Sequence, residues 1–451
     1  MKLDRYQKQA VVTNENILLI AGAGAGKTFT ITQKINYIVT HNICLPEEIL
    51  LISFTNKSVD DLKSKIKYNC DILTFHKLAI NILNDYNISY NIANKDYLDL
   101  TVNEFFYSLS DEKLINDILK IYHEWNYENF LKSYKFLKLK ELIIRIIRTS
   151  KSCDSKISDF EKLYNKNNFL TKLILIIKII YEDEMKSSNL LDYDDLIIKA
   201  TKVVNKFYKY KYIIVDEFQD TSLIRFNLIN KLRKLNNAKF FAVGDDYQAI
   251  YHFSGCSTSL FWNIKDYIPN IKILKLKNVY RNSQELIDIC ARFISKNSQQ
   301  IKKELLSQKH NNPIKIIYYI NPYKAFNKLY KKITKISDDV LVLGRNNNDI
   351  KYFSKDPKIP FLTVHSAKGL EADNVIIINL TNSTFGFPNK LDNNYLLEML
   401  HPSDKSYLFA EERRLFYVAL TRTKNQVYLL VPFLGRSIFV NEIKSLLRNI
   451  S

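Results

Sequence analysis

The stretch Ile17-Leu-Leu-Ile20-Ala21-Gly22-Ala23-Gly24-Ala25-Gly26-Lys27-Thr28 is an apolar run that passes into a loop of small residues and then into a helical pattern. Consecutive apolar residues suit a strand buried on both faces. A loop almost free of side chains between that strand and a helix lets backbone N–H groups close on a polyphosphate. Lys27 then reaches the β- and γ-phosphates, and the Thr28 hydroxyl faces Mg²⁺. Ala21, Gly22, Ala23, Gly24, Ala25 and Gly26 are the candidate cradle, and ATP or a similar triphosphate is the expected ligand. The competing reading is a glycine-rich turn that binds nothing. The Lys-Thr ending and the strand-to-helix setting weigh against it.

Hydrolysis needs a second element, and Tyr212-Ile-Ile-Val215-Asp216-Glu217 supplies a candidate. An apolar strand delivers two adjacent acids to its carboxyl end. There Asp216 can hold Mg²⁺ through its water shell, and Glu217 can orient or deprotonate the attacking water. A lone pair of acids is usually solvated surface. After a buried strand, in a chain with a phosphate loop, it reads as the other half of an ATPase site.

Further apolar runs at 49–53 and 239–243 alternate with helical patterns, the signature of a parallel α/β sheet. Between about 80 and 190 the pattern changes to long Lys, Leu, Ile and Tyr stretches at helical spacing, so a helical subdomain is expected there. Strand-like runs return at 271–276, 314–319, 340–343, 361–364, 375–379 and 427–431, indicating a second α/β unit. The expected architecture is two lobes with parallel sheets: residues 1–80 with 190–268, then 269–451, with 81–189 inserted in the first. No repeat with a solenoid period is present.

Composition agrees with a polyanion-binding protein of more than one domain. The chain has 451 residues, 46% of them hydrophobic, and 66 Lys and Arg against 47 Asp and Glu, a net charge of +19. Nucleic acid is the leading partner, although a Lys-rich coding bias could scatter the same charge over solvated faces. Cys44, Cys70, Cys153, Cys256 and Cys290 stand far apart, without metal-ligand spacing or an obvious disulfide framework. The chain start lacks a signal-peptide pattern and no stretch is greasy enough to span a membrane, so a reducing, cytoplasmic setting is expected.

The order of motifs resembles that of the UvrD/Rep group of superfamily 1 DNA helicases, over nearly the whole chain apart from the helical insertion. Leu3-Asp-Arg-Tyr-Gln7 resembles the family's Q motif, whose glutamine reads adenine. Phe54-Thr55-Asn56-Lys57 and Thr74-Phe-His76 resemble segments that touch single-stranded DNA. Gly244-Asp-Asp-Tyr-Gln248-Ala-Ile-Tyr251-His-Phe253-Ser254-Gly255 resembles the coupling motif, in which Gln248 would sense the γ-phosphate while Tyr251 and Phe253 stack near bases. Val279-Tyr280-Arg281-Asn282 resembles the motif whose tyrosine packs on adenine and whose arginine reaches the γ-phosphate. Thr363-Val-His365-Ser-Ala-Lys368-Gly-Leu-Glu371 resembles the next, with His365 near DNA and Glu371 on the ribose. Glu411-Glu-Arg-Arg-Leu-Phe-Tyr-Val-Ala-Leu-Thr421-Arg422 resembles the last, with Arg422 as the arginine finger. Taken singly, each has a duller reading as core, surface ion pair or structural histidine.

Motif details resemble the helicase IV branch. One departure is Ser254, where many relatives carry arginine. The resemblance implies two RecA-like lobes, ATP and Mg²⁺ as cofactors, and an ATP-dependent 3′–5′ translocase or helicase acting on single-stranded DNA and its junctions with duplex. Only residues 346–362 separate the Arg345-Asn346 stretch from the Thr363 motif, so the 2B domain of larger relatives is expected to be missing. Because only a short stretch follows Arg422, a nuclease domain is not expected. A translocase serving a nuclease or repair partner without unwinding, and a nucleotide-gated DNA-binding subunit, are the alternatives.

Overall fold

The computed structural model describes residues 2–154, 169–206, 208–390 and 407–448. The chain forms β1 (Ile17–Ala21), β2 (Ile49–Ser53), β3 (Asp71–Thr74), β4 (Asn91–Ile92), β5 (Leu190–Leu191), β6 (Tyr212–Val215), β7 (Lys239–Gly244) and β8 (Lys272–Leu276). It continues with β9 (Ile314–Tyr319), β10 (Val340–Gly344), β11 (Phe361–Thr363), β12 (Ala372–Ile377) and β13 (Thr423–Pro432). The first sheet has the order β3-β2-β6-β7-β1-β8 and the second β11-β10-β12-β13-β9, with every strand pair parallel.

Parallel strands need crossovers, and the helices that supply them cover both faces of each sheet. The alternation is visible residue by residue. Leu18 and Ile20 of β1 enter one core with Leu50 and Ile52, while Ile17 and Leu19 enter the opposite core with Ile49 and Leu51. In β12, Val375 and Ile377 point one way and Ile376 the other.

One strand lies elsewhere than the sequence pattern indicates. The run at 271–276 was expected to open the second lobe; it is β8, paired with β1 from Ile17↔Lys272 to Ala21↔Leu276, and it completes the first sheet. Periodicity cannot say which sheet an edge strand joins. β3, read from the sequence as no strand at all, pairs with β2 at the other edge.

Between β4 and β5, which pair in parallel at Asn91↔Leu190 and Ile92↔Leu191, the described chain is almost wholly helical. Helices Tyr97–Tyr107, Glu112–Tyr122, Tyr127–Leu131, Tyr134–Ser152 and Phe169–Ser187 share a core containing Phe106, Phe130, Ile143, Leu173 and Ile177. No described helix is long and apolar enough to cross a membrane.

Candidate active site and nucleic-acid groove

β7 lies between β1 and β6, so the carboxyl ends of these three strands deliver the phosphate loop, the Asp216-Glu217 pair and the 245–248 turn to one place. The loop keeps glycine where the backbone demands it. Gly24 and Gly26 have φ of +72° and +79°, and a Cβ on Gly26 would stand 2.8 Å from Gln7 Nε2. Lys27 opens the helix Lys27–Thr40, with Thr28 beside it. Lys27 Nζ donates to Glu217 Oε2 at 2.7 Å, and Gln219 Nε2 donates to the same oxygen at 2.6 Å. Burial works against the Lys27 charge, but Glu217, Asp216 and Asp245 more than offset it and hold its pKa above the ordinary value.

The two acids behave oppositely. Burial, with Glu217 next to it, pushes the Asp216 carboxyl up to about 7. Burial also opposes ionisation of Glu217, yet Lys27 and Lys368 overcome it and bring its pKa down to about 2. Glu217 also has φ +48°, a left-handed conformation that non-glycine residues rarely hold, just where the chain leaves β6.

Across this site stands the amino edge of the second sheet, where Glu371 precedes β12 and Arg422 precedes β13. Arg422 is fully buried. Its Nη2 donates to Gln248 Oε1 at 2.9 Å, while Gln248 Nε2 donates to Asp245 Oδ2 at 2.7 Å. Burial and the neighbouring Arg281 bring the Arg422 pKa down to about 10, so it stays charged at neutral pH. Arg281 pairs with Glu371 at 2.6 Å, and Tyr280 N donates to Gly24 O of the phosphate loop at 2.9 Å. The Tyr280 hydroxyl donates to Asp4, which caps the helix Arg5–Val12 in a reciprocal box with Gln7. Gln7 Nε2 in turn donates to Ala25 O at 3.4 Å. Gln7, the loop, Lys27, Asp216, Glu217, Gln248, Tyr280, Arg281, Glu371 and Arg422 therefore meet in one cleft.

The residues with a resemblance to DNA-touching segments lie at the other end of the same turn. Phe54, at the end of β2, stacks on Tyr251 with centroids 5.4 Å apart and planes 13° apart. Phe253 meets Tyr251 at 6.0 Å and His365 at 5.4 Å, both edge to face. Phe253 is 48% exposed, so its ring remains available to a further flat partner. Phe253 and His365 line a groove of about 2060 Å³ between the first sheet, the second sheet and the helix Tyr134–Ser152, and Phe54 and Tyr251 pack behind them. His76 also lines it, packed edge-on against Tyr193.

Two of the expected contact residues also serve locally. Thr55 caps the helix Asn56–Lys65, which Asn56 begins, and Thr74 caps Phe75–Asp85. Thr55, Asn56 and Thr74 stand at helix starts and are not among the residues that line the groove. Ser254 turns inward, donating its hydroxyl to Tyr251 O at 2.8 Å.

Two lysines in the cleft are given no role from the sequence. Lys303 is buried against Asp245, Asp246 and the face of Tyr247. Lys368 pairs with Asp220 and donates to Gln248 O at 2.6 Å. Lys368 stood within a recognisable motif; Lys303 lies in a polar, lysine-rich stretch that reads as surface.

Comparison with known proteins agrees with this geometry. The profile of the UvrD/REP helicase N-terminal domain matches residues 3–269, and that of the UvrD-like helicase C-terminal domain matches 351–431. DNA helicase IV of Escherichia coli is 30% identical, over 98% of this chain and 70% of that protein. The ATP-dependent DNA helicase Rep of Buchnera aphidicola from Acyrthosiphon pisum is 31% identical over 74% of this chain and 51% of its own length. A probable DNA helicase of Mycoplasma pneumoniae is 26% identical over 95% of this chain and 83% of its own. The chain belongs to the UvrD/Rep family of DNA helicases.

Proposed function

We propose that this chain is an ATP-driven 3′–5′ motor on single-stranded DNA that couples hydrolysis between two RecA-like lobes to strand movement and duplex unwinding. The observation that carries the proposal is the 245–253 segment, which joins both sites. At one end Gln248 bonds Arg422 across the cleft; at the other Tyr251 and Phe253 form the aromatic row.

The cleft suits a nucleoside triphosphate with Mg²⁺. Backbone N–H groups of 22–28 and Lys27 would take the β- and γ-phosphates. Thr28 and Asp216 would hold the metal together with the phosphates themselves. Asp216, whose buried carboxyl is reluctant to ionise unaided, is the group a divalent cation would suit. Glu217, ionised by Lys27, would orient and deprotonate water. Arg281 and Arg422 would neutralise the γ-phosphoryl charge, a contribution of about 10³ to 10⁵ in rate for an arginine finger. Gln7 and Tyr280 would take the adenine and Glu371 the ribose.

Because these two arginines reach the phosphate only when the lobes close, binding and hydrolysis would change lobe separation. Phe54, Tyr251, Phe253 and His365 would hold bases by stacking, worth about 1 to 3 kcal/mol per base with little sequence preference. His76, with the backbone near Thr55, Asn56 and Thr74, would border the strand. The helices between β4 and β5 would form a 1B subdomain that closes the groove, and the connection at 346–362 would stand where larger relatives carry a 2B domain.

Strand displacement from a 3′-tailed duplex, run beside a 5′-tailed one and a translocation assay on bare strand, tests this reading. The expected result is ATP-dependent displacement of the 3′-tailed substrate alone. Translocation without displacement would reassign the chain as a motor serving a partner. Neither activity would refute the motor reading.

In the same assays Glu217→Gln should still bind ATP while losing turnover, and Lys27→Ala should lose both. Normal turnover by Glu217→Gln would refute the assignment of the base.

A further inference from the structure

Arg225 lies in the first turn of the helix Leu223–Asn236 and on the wall of the groove. Its guanidinium rests over the face of Phe54, 5.0 Å from the centroid of the ring that also stacks with Tyr251. Nε and Nη1 are buried and have no hydrogen-bond partner among the described residues, and no described carboxylate forms an ion pair with the side chain. The other arginines on the groove wall are engaged: Arg345 is held by Glu412, Arg148 donates to Lys95 O, and Arg145 is partnered too.

A half-buried guanidinium without an acceptor is costly, because its N–H donors have lost water and a ring face does not replace those hydrogen bonds. Five N–H donors in a planar fork match the oxygens of a phosphate, and stacking on an aromatic ring leaves the edge of the fork free to do so. Ser254, two residues before Cys256, whose backbone bridges to Ser222 at the start of the Arg225 helix, brings no charge to this part of the groove. Asp194, whose carboxyl feels the Arg225 charge, is already bonded by the Ser152 hydroxyl at 2.8 Å.

We propose that Arg225 binds a backbone phosphate of the single strand whose bases stack on the Phe54, Tyr251 and Phe253 row. This inference rests on the DNA-motor reading and adds to it a charged contact that fixes the strand's backbone beside its bases. Phosphate contacts set register without reading sequence, which is what a motor moving along any strand requires.

Fluorescence anisotropy of a labelled oligo(dT) over a potassium chloride series, with the full chain, tests it. Arg225→Ala should bind about tenfold more weakly at fixed salt. Its plot of log affinity against log salt should be shallower by about 0.7, the share of one phosphate on a single strand. Arg225→Lys should keep the wild-type slope and lose part of the affinity, since an ammonium neutralises a phosphate without the fork. Arg225→Gln, neutral and of similar reach, gives the same reading as the alanine variant should that one fail to fold.

Wild-type affinity and slope in the neutral variants would overturn the assignment. So would weaker binding with an unchanged slope, which would mark Arg225 as a support beneath Phe54. A wild type that does not bind oligo(dT) at low salt would refute the motor reading itself.

Discussion

At the scale of the residue, His365 shows how burial sets behaviour. Burial, with Arg345 and Lys368 close by, lowers its pKa from the ordinary 6.5 to about 4. A base lowered on folding binds fewer protons folded than unfolded between those two values, so stability falls as pH drops from 6.5 towards 4. Thermal melts over that range should show His365→Asn losing less of its melting temperature than the wild type; parallel curves would contradict the assignment. Gly26 gives a second expectation. Its φ of +79° and the 2.8 Å approach to Gln7 mean that Gly26→Ala strains the loop and displaces the glutamine. Its affinity for ATP, measured by titration calorimetry, should drop about tenfold; unchanged affinity would show that the loop can relax. Residues of this kind were legible because motif spacing constrains them. Arg225 and Lys303 were not, because a lone cation in an amphipathic or polar stretch looks like solvated surface until the fold brings Phe54, or Asp245 and Asp246, against it.

At the scale of the element, the strands around the phosphate loop could be read from the sequence because they are apolar runs bounded by turns. β3 was missed because Asp71-Ile-Leu-Thr74 is short and only partly buried. β8 was read as a strand but placed in the wrong sheet, since its exposed Lys and Ile residues carry no mark of the neighbour they join. The helices between β4 and β5 hold together through Phe130, which is fully buried and meets Tyr122, Tyr127 and Phe136. Phe130→Ala should cost about 3–5 kcal/mol, the range for removing a buried ring. Because this core is separate from those flanking the sheets, the loss should stay local. Hydrogen exchange should speed up in Tyr134–Ser152 and Phe169–Ser187 while β1 and β7 keep their protection. Loss of protection in the sheet as well would show that the helices and the sheet unfold as one unit.

At the scale of the whole molecule, the cleft and the groove share a single turn, so the nucleotide and the strand should each report on the other. Gln248 bonds Arg422 on one side, and Phe253 offers an exposed ring on the other. Phe253→Ala should therefore weaken DNA stimulation of hydrolysis more than the basal rate, and equal loss of both would mark it as a packing residue. The chain's +19 charge should also make binding to single strands fall steeply with salt. The coupling itself is read most directly by steady-state ATP hydrolysis of the wild type, titrated with single-stranded DNA at saturating ATP and Mg²⁺. The rate should rise severalfold and saturate at the DNA concentration that saturates binding. A rate indifferent to DNA that is demonstrably bound would contradict the link between the two sites.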